Sequence, residues 1–332
     1  MTLVVGVDGG GTKTHALVAD ETGAMLGFAT HGPSNWESVG LRGAADALRE
    51  AIANALEQAG ASSSDLTGAA FGLAGIDWGS DLPRMRGVID QLRLPCSYEL
   101  VNDSFVALRA GTDASYGVVL VAGTGAVAAG RNREGRVFRT LGEGPILGDV
   151  GAASDVSDAA VRAVADAYTG RGPATVLTDE LCTLTGCGTA AEFLEWYSRG
   201  VEQLRNGASA VVRAADDGDP VAQGIMRWAG TALGGSAALV ARQLDMLAHE
   251  FEVVLSGGLF RAGSAILSDS LTGVLNPVAP YARLVHLDPP PVVGAVLMAF
   301  DTAGMSLRPD CRRRLEEAAK VAVVQRPWAR PA

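Results

Sequence analysis

The sequence contains no apolar run of about 18 residues, the length that a membrane-spanning helix requires. Its first residues carry no basic segment, and the apolar stretch there gives way to polar residues after Val7, so we expect no secretory signal peptide. Cysteine is rare: the chain has four, and Cys182 and Cys187 lie close in sequence without a second pair or a neighbouring histidine. That spacing favours neither a zinc site nor a disulfide framework. We therefore expect a cytoplasmic protein with reduced thiols and no membrane partner.

Positive charge is also limited. The 27 lysines and arginines are outnumbered by 37 aspartates and glutamates, which gives a formal net charge of −10. A chain of this sign repels the phosphate backbone, so we expect no nucleic-acid partner. An anionic small molecule would have to be attracted by a local arrangement of donors, because the overall field repels it.

The composition is that of an ordinary globular protein. Apolar residues make up 48% of the 332 residues and charged residues 19%. A chain of this length can bury about three quarters of its surface, so it needs no disulfide or metal to stabilise its core. At about 150 residues per domain, the length predicts two domains.

One pattern occurs twice along the chain. A strand, a glycine-rich turn, a strand, a polar turn and a strand are predicted from Leu3 to Ala29, and again from Val118 to Phe138. Further strands are predicted over residues 69–74, 98–101, 252–255 and 283–287, and helices over residues 41–59, much of 155–250 and 292–303. The repeat indicates two related α/β domains. We expect an N-terminal domain over residues 1–114, a C-terminal domain with a helical insertion over residues 115–290, and a closing helix with a peripheral tail over residues 291–332.

Two glycine-rich turns carry the strongest chemical signal. The first, Gly6-x4-Gly11-Thr-Lys-Thr14, nearly matches a Walker phosphate loop, but Thr12 stands where the lysine belongs and a strand follows instead of a helix. The second, Gly123-x-Gly125-x-x-Ala128, leads into a hairpin and so lacks the helix of a dinucleotide-binding fold. Either turn alone fits a plain hairpin. Two of them at equivalent places, with Asp8 beside the first, favour backbone amides that bind phosphate.

The order of the short motifs resembles that of a known family. The motifs are Asp8-Gly-Gly-Gly-Thr-Lys-Thr14, Asn102-Asp103, Ala122-Gly-Thr-Gly125, Gly142-x5-Gly148-Asp-x-Gly151, Ser256-Gly-Gly258 and Pro291-Val-Val-Gly-Ala295. Over residues 3–303 this set resembles the BadF/BadG/BcrA/BcrD ATPase family, in particular its N-acetylglucosamine kinase-like members. That family belongs to the superfamily of sugar kinases, actin and heat-shock chaperones. The resemblance implies an α/β fold of two ribonuclease-H-like domains, the actin-like ATPase fold, around a central ATP cleft.

The resemblance also implies where ATP and Mg²⁺ bind. It assigns ATP binding to Gly9, Gly10, Gly11, Thr12, Lys13, Gly123, Thr124, Gly125, Gly257 and Gly258, with the last two beside the adenosine. Asp8 would hold Mg²⁺ through water, in keeping with the oxygen chemistry of that ion.

The implied activity is ATP-dependent phosphorylation of an amino sugar, N-acetylglucosamine or glucosamine, at its 6-hydroxyl. Asp103 would accept the proton of that hydroxyl, and the implied sugar-binding residues are Asn35, Asp103, Glu143 and Asp149. Three of them have a structural alternative: Asp103 and Asn35 stand where helices begin and could cap them, and Asp149 fits an ordinary turn. We expect the enzyme to act as a homodimer on ATP and a small-molecule sugar.

Three departures from the family pattern bear on the sugar. Ala126 stands where these kinases commonly have serine, Gly144-Pro-Ile-Leu147 replaces a loop with tryptophan, and Val150 replaces a glutamate. The phosphate-binding motifs are present, so the departures bear on which sugar is bound.

Two other functions compete with the kinase. One is a non-kinase ATPase that activates a partner enzyme, like the dehydratase activators of the same family. Those activators hold an iron–sulfur cluster through cysteines, and none of the four cysteines here stands in a convincing cluster loop. The other is a sugar-responsive regulator, which would need an N-terminal DNA-binding helix-turn-helix where this chain has its first predicted strand.

Overall fold

The structure is a computed structural model that describes residues 2–200, 204 and 206–325. Its contacts divide the chain into two units. The first unit runs to Gly117 and includes the segment from Leu287 onward, and the second runs from Val118 to His286. The segment that follows the second unit in sequence is therefore part of the first.

The elements of the N-terminal segment are β1 (Leu3–Gly9), β2 (Thr14–Asp20), β3 (Met25–His31), α1 (Trp36–Ala59), β4 (Leu66–Leu73), α2 (Asp81–Asp90), β5 (Ser97–Asn102) and α3 (Asp103–Gly111). They are followed by β6 (Gly117–Ala122), β7 (Ala126–Arg131), β8 (Val137–Arg139), α4 (Ala153–Thr169), α5 (Leu177–Thr185), α6 (Ala190–Ser198), α7 (Gly207–Asp216) and α8 (Pro220–Gln243). The last elements are β9 (Phe251–Ser256), α9 (Gly258–Arg261), α10 (Ala265–Leu275), β10 (Ala282–His286), α11 (Pro291–Thr302) and α12 (Pro309–Gln325). Short 3₁₀ helices lie at Ser63–Asp65 and Pro145–Leu147.

The first unit is built on a five-stranded sheet with the order β3-β2-β1-β4-β5. β1, β2 and β3 form an antiparallel meander, and β4 and β5 extend the sheet in parallel with β1. Val5 and Val7 belong to the core packed against α1 and α2, whereas Val4 belongs to the core packed against α3 and α11. This alternation follows the two-residue period of a strand whose faces are both covered by helices.

Helix α1 ends as the sequence predicts but begins earlier. Gly60 terminates it in the left-handed conformation, with φ of 62°. The helix begins at Trp36, and it is kinked at Gly40, where φ is 69°. The sequence predicted only the regular part of the helix, from Leu41 onward, because the residues before the kink do not share its hydrophobic spacing.

The two C-terminal helices complete the first unit. A Cβ on Gly6 of β1 would lie 2.3 Å from the backbone nitrogen of Val296, so glycine allows α11 to pack directly on the sheet. α12 occupies part of the segment for which the sequence predicted a peripheral tail, and it buries Leu315 and Ala319 against this core.

The second unit repeats the same plan. Its five-stranded sheet has the order β10-β9-β6-β7-β8, so its strands correspond in position to those of the first sheet. β6, β9 and β10 run parallel, and β7 and β8 are antiparallel. Helices α4 to α8 fill the long insertion between β8 and β9. The predicted α/β fold with two related domains is confirmed. Among the described residues, no helix is both long and apolar enough to span a bilayer.

Candidate active site

The candidate site residues of the first unit lie at the carboxyl ends of three parallel strands. β1, β4 and β5 end side by side, because Gly9 is in register with Leu73, and Leu73 with Asn102. Asp8 and Asp103 therefore stand at the same edge of the sheet. In open α/β sheets, ligands bind at this edge.

The turn from Gly9 to Lys13 links β1 and β2 at this edge. The amide of Gly10 donates to the carbonyl oxygen of Lys13 at 2.9 Å, which closes the turn, and residues 11–13 are exposed. A Cβ on Gly9 would lie 2.3 Å from Ser34 Oγ, so packing alone requires that glycine. A Cβ on Gly10 would make an ordinary contact at 3.6 Å, and one on Gly11 would meet nothing within 4 Å. The fold leaves room for side chains at these two positions, and their glycines keep the backbone open to a ligand.

Asp8 carries a strongly shifted carboxyl group. Desolvation and the nearby charge of Asp103 raise its pKa from 3.8 to about 7, although the charge of Lys13 acts in the opposite direction. Two carboxylates are thus close enough to oppose each other's ionisation. A cation bound between these two carboxylates and an anionic ligand would reduce the repulsion of the carboxylates.

Asn102, and not Asp103, caps helix α3. The Asn102 side-chain oxygen accepts a 3.0 Å hydrogen bond from the amide of Ser104 and a 2.6 Å bond from its hydroxyl. Asp103 is the first residue of the helix and is half-buried. The structural alternative for Asp103 was that it caps α3, and Asn102 performs that role instead.

Asn35 brings a third polar side chain to this edge. Its side-chain oxygen caps α1 by accepting from the backbone amide of Glu37 at 3.0 Å, and its backbone amide donates to the carbonyl oxygen of Gly10 at 3.3 Å. The indole of Trp36 donates to the carbonyl of Gly75 at 2.6 Å. A Cβ on Gly75 would lie 2.5 Å from Asn35 Oδ1, so the loop after β4 packs directly against Asn35. Asn35 both caps its helix and lies beside the first glycine turn.

Asp77 also lies at this edge, although the sequence did not indicate it. Asn102 Nδ2 donates to Asp77 Oδ1 at 3.2 Å and to the carbonyl oxygen of Ile76 at 3.3 Å. The sequence contained one signal for it: Asp77 follows a predicted buried strand, and polar residues that follow neighbouring parallel strands lie at the same edge of the sheet.

In the second unit, the equivalent turn is Gly123 to Gly125. The amide of Gly123 donates to the carbonyl of Gly125 at 3.0 Å, and a Cβ on either glycine would meet nothing within 4 Å. The start of α4 packs beside it: the amide of Ala153 donates to Gly123 O at 2.9 Å, and the Ser154 hydroxyl donates to Thr124 O at 2.6 Å. An exposed glycine turn next to a helix N-terminus is a favourable environment for phosphate.

Gly257 and Gly258 follow β9, which is paired with β6. Gly257 has φ of 109°, and a Cβ on it would lie 2.3 Å from the carbonyl oxygen of Ala122, so the two chain segments contact each other through backbone. Gly258 begins α9 and lines a cavity of about 630 Å³ that also includes Thr124. Ligand pockets typically have volumes of about 300–1,000 Å³. The structure thus places two of the predicted ATP-binding segments on one cavity of the second unit.

Asp149 has a clear local role. Its Oδ2 accepts hydrogen bonds from the amides of Gly142, at 2.7 Å, and Glu143, at 3.2 Å, and the residue is 7% exposed. Asp149 therefore fixes the loop that carries Glu143, which is itself exposed. Two of the residues that differ from the family pattern can be placed here: Ala126 is buried, and Leu147 is half-exposed on this loop.

Two solved structures show which class of fold this is. A ROK family glucokinase from Streptomyces griseus, in complex with glucose and AMPPNP, aligns with a TM-score of 0.55 at 20% identity, over 90% of this chain and 99% of that one. A ROK hexokinase from Thermus thermophilus aligns with a TM-score of 0.58 at 20% identity, over 91% and 100% of the two chains. The fold is the actin-like ATPase fold.

Sequence comparison identifies the family within that class. The BadF/BadG/BcrA/BcrD ATPase family matches residues 5–299, and the chain belongs to this family. It is 30% identical over 315 residues to an N-acetyl-D-glucosamine kinase from Dictyostelium discoideum, covering 90% of this chain and 98% of that protein. It is 28% identical over 302 residues to an N-acetylmuramic acid/N-acetylglucosamine kinase from Clostridium acetobutylicum, with the same coverage.

Proposed function

We propose that this protein is a kinase that transfers the γ-phosphoryl group of ATP to the 6-hydroxyl of an amino sugar, N-acetylglucosamine or glucosamine. The observation that carries the proposal is the position of Asp103: it lies close to Asp8 at the carboxyl edge of the sheet, while Asn102 performs the helix cap. The amino-sugar kinases to which the chain is similar support this substrate class.

The proposed reaction requires one proton transfer. The sugar oxygen forms a bond to the γ-phosphorus, the bond from that phosphorus to the bridging oxygen breaks, and ADP leaves. Asp103 accepts the proton of the attacking hydroxyl. Phosphoryl transfer depends mainly on positioning and charge stabilisation, and in this proposal Asp103 and the two glycine turns would supply these groups.

We assign ATP to the two glycine turns and to the cavity beside Gly258. In the first unit the turn is formed by Gly9, Gly10, Gly11, Thr12 and Lys13, and in the second by Gly123, Thr124 and Gly125. Gly257 and Gly258 would lie beside the adenosine. The support is that Gly10, Gly11, Gly123 and Gly125 have space for a side chain, so that the fold itself does not require glycine there.

Asp8 fits a water-mediated Mg²⁺. In proteins Mg²⁺ keeps several waters and is held by one or two carboxylates together with substrate phosphates. Asp8 supplies this carboxylate, and burial together with the nearby charge of Asp103 raises its pKa to about 7, so a cation beside it would favour the ionised form. When bound, Mg²⁺ would neutralise the charge of the phosphates.

Asn35, Glu143 and Asp149, together with Asp103, are the proposed sugar-binding residues. The replacements at Ala126, Leu147 and Val150 remove polar or aromatic groups found in related kinases. Losing one hydrogen-bonding partner can change substrate preference by orders of magnitude. We therefore propose that an amino sugar is the acceptor, with a preference that differs from that of N-acetylglucosamine kinases.

A coupled assay of ATP consumption tests the function directly. Glucosamine, N-acetylglucosamine, N-acetylmuramic acid and glucose would be compared with a reaction that contains no sugar, and phosphate position would be determined by NMR of the product. We expect an amino sugar to raise turnover and to yield the 6-phosphate. If no sugar stimulates turnover and ADP forms only with a partner protein, the activator function replaces the kinase.

The cellular and oligomeric expectations stay predictions. We propose a cytoplasmic homodimer. Light scattering coupled to size-exclusion chromatography would measure the mass of the particle directly.

A further inference from the structure

The cavity of the second unit contains a carboxylate that none of the assigned roles uses. Asp158 lines it together with Thr124, Tyr197, Asn206 and Gly258. Among the described residues lining this cavity, Asp158 is the one with a charged side chain. A carboxylate among the neutral described residues of this lining is a hydrogen-bond acceptor, and it suits a ligand that carries a donor.

The position of Asp158 relative to the phosphate-binding turn is fixed by helix α4. Ser154 donates to the carbonyl of Thr124 at 2.6 Å, and Asp158 follows four residues later on the same helix. Side chains four residues apart lie on one face, about 5–6 Å from each other. Asp158 thus lies one helical turn beyond the turn that would hold the phosphates, on the side toward the cavity. That separation suits the ribose of a nucleotide, which follows the phosphates.

Tyr197 holds this carboxylate toward the cavity. Its hydroxyl donates to Asp158 Oδ1 at 3.0 Å, and Tyr197 lines the same cavity. Asp158 also borders a second cavity of about 530 Å³, which Arg162 lines and Tyr197 does not. The hydrogen bond from Tyr197 therefore favours orientation of the carboxylate toward the cavity of Thr124 and Gly258. A carboxylate has about four acceptor positions, so one bond from tyrosine leaves capacity for two ligand hydroxyls.

We propose that Asp158 accepts hydrogen bonds from the 2′- and 3′-hydroxyls of the ATP ribose, and that this contact selects ribonucleotides over deoxyribonucleotides. The inference rests on the proposed binding of ATP in the second unit. Tyr197 is a positioning residue, because it acts on the ribose through Asp158. Asp158 is exposed in the structure, so the selectivity comes from the bond itself: a deoxynucleotide lacks one of the hydroxyls that would donate to this carboxylate, and it should bind more weakly.

Calorimetry with ATP, 2′-deoxy-ATP and 3′-deoxy-ATP, each with Mg²⁺, tests this on the full chain. For the wild type we expect each deoxynucleotide to bind roughly 10- to 100-fold more weakly than ATP, the effect of one hydrogen bond to a charged group. In Asp158→Asn and Asp158→Ala, the ratio of the affinity for ATP to that for each deoxynucleotide should fall toward one. Tyr197→Phe should reduce the ratio partially, because the carboxylate remains but is less well oriented.

Asp166→Asn is the matched control. Asp166 lies on the same helix, lines the other cavity and pairs with Arg171 at 3.0 Å, so its replacement should leave the ratio unchanged. Equal binding of ATP and both deoxynucleotides by the wild type overturns the inference, as does an equal loss of affinity for all three in Asp158→Asn. In either case ATP still binds and the proposed kinase stands. A wild type that binds no nucleotide instead overturns the proposed function and the inference with it.

Discussion

Asn102 donates a hydrogen bond of 3.2 Å from its side-chain amide to Oδ1 of Asp77. The same side chain accepts the capping hydrogen bond of helix α3 from the amide of Ser104. One buried amide thus ties the loop after β4 to the end of β5 and also caps α3. The next residue, Asp103, is the one proposed to accept the proton of the sugar hydroxyl.

We predict that Asp103→Asn abolishes sugar phosphorylation and leaves ATP affinity and stability nearly unchanged. The amide has the shape of the carboxylate but cannot accept the proton, and the loss of a general base typically lowers the rate about 10²- to 10⁴-fold. The measurements are turnover in the coupled assay, calorimetry with ATP and the free energy of unfolding.

Asn102→Ala is the complementary variant. It should lower the free energy of unfolding by about 1–2 kcal/mol, because it removes the cap of α3. Near-normal turnover in Asp103→Asn would reduce that residue to a structural role.

The glycine turns give a second prediction. Gly10→Val and Gly125→Val should weaken ATP binding at least about tenfold, or about 1.4 kcal/mol, because a branched side chain blocks the approach of phosphate to the backbone. The free protein has space for a Cβ at both positions, so both variants should fold. Calorimetry with ATP measures the affinity, and circular dichroism checks the fold.

Gly87→Val is the control for these two variants. A Cβ on Gly87 would also meet nothing within 4 Å, but this glycine lies in helix α2, away from the turns. Its ATP affinity should equal that of the wild type. Unchanged affinity in folded Gly10→Val and Gly125→Val would remove the turns from the binding site.

A third prediction concerns the stability of the second unit. Asp219 caps α8 by accepting from the amide of Ala222 at 2.8 Å, and it also accepts from the amide of Val176 and the hydroxyl of Thr175. Asp219→Ala should lower the free energy of unfolding by about 1–3 kcal/mol, since it removes a helix cap and leaves the part-buried donors of Thr175 and Val176 without their acceptor. Urea unfolding at pH 7 measures this, with the exposed Asp216→Ala as control.

The same carboxyl group predicts a pH dependence. Burial acts to raise the pKa of Asp219, but the hydrogen bonds from Ala222, Val176 and Thr175 outweigh it, and the pKa lies below its ordinary value of 3.8. A lowered pKa in the folded state contributes stability above pH 3.8 that is lost as the pH falls through the folded pKa. The difference between wild type and Asp219→Ala should therefore shrink below about pH 4. A constant difference from pH 7 to pH 3 would contradict this linkage.

The strands of both sheets could be predicted because their signal is local. Leu3 to Val7 and Val118 to Ala122 are apolar runs that end in glycine turns, and they form β1 and β6. α12 was missed although its buried residues Cys311, Leu315, Ala319 and Ala322 have helical spacing. The arginines and proline of that segment suggested a solvated tail, whereas packing against the first sheet decides its structure.

The site was less accessible to prediction because it depends on contacts distant in sequence. Asn102 and Asp103 are both good N-cap residues, and sequence alone does not say which of them caps α3. The bond from Asn102 to Asp77 joins residues 25 positions apart. The loop contacts of Asp149 could not be predicted either, since they depend on how the segment after β8 folds back on itself.

The last prediction separates two roles of Asp149. Its Oδ2 accepts from the amides of Gly142 and Glu143, so Asp149→Ala should speed hydrogen exchange at both amides and loosen the loop. Asp149→Asn keeps a carbonyl oxygen that can accept these bonds, and exchange should stay near that of the wild type. Mass spectrometry of exchanged peptides measures both.

The sugar KM of the same two variants then tests the proposed contact with substrate. If Asp149 also binds a sugar hydroxyl through its charge, Asp149→Asn should raise the KM although its loop remains protected, because a hydrogen bond to a charged group is stronger than one to an amide. Asp149→Ala should raise it further, since the loop that carries Glu143 is then no longer held. A KM unchanged in Asp149→Asn would assign the residue to the loop alone and leave Asn35, Asp103 and Glu143 as the proposed sugar-binding residues.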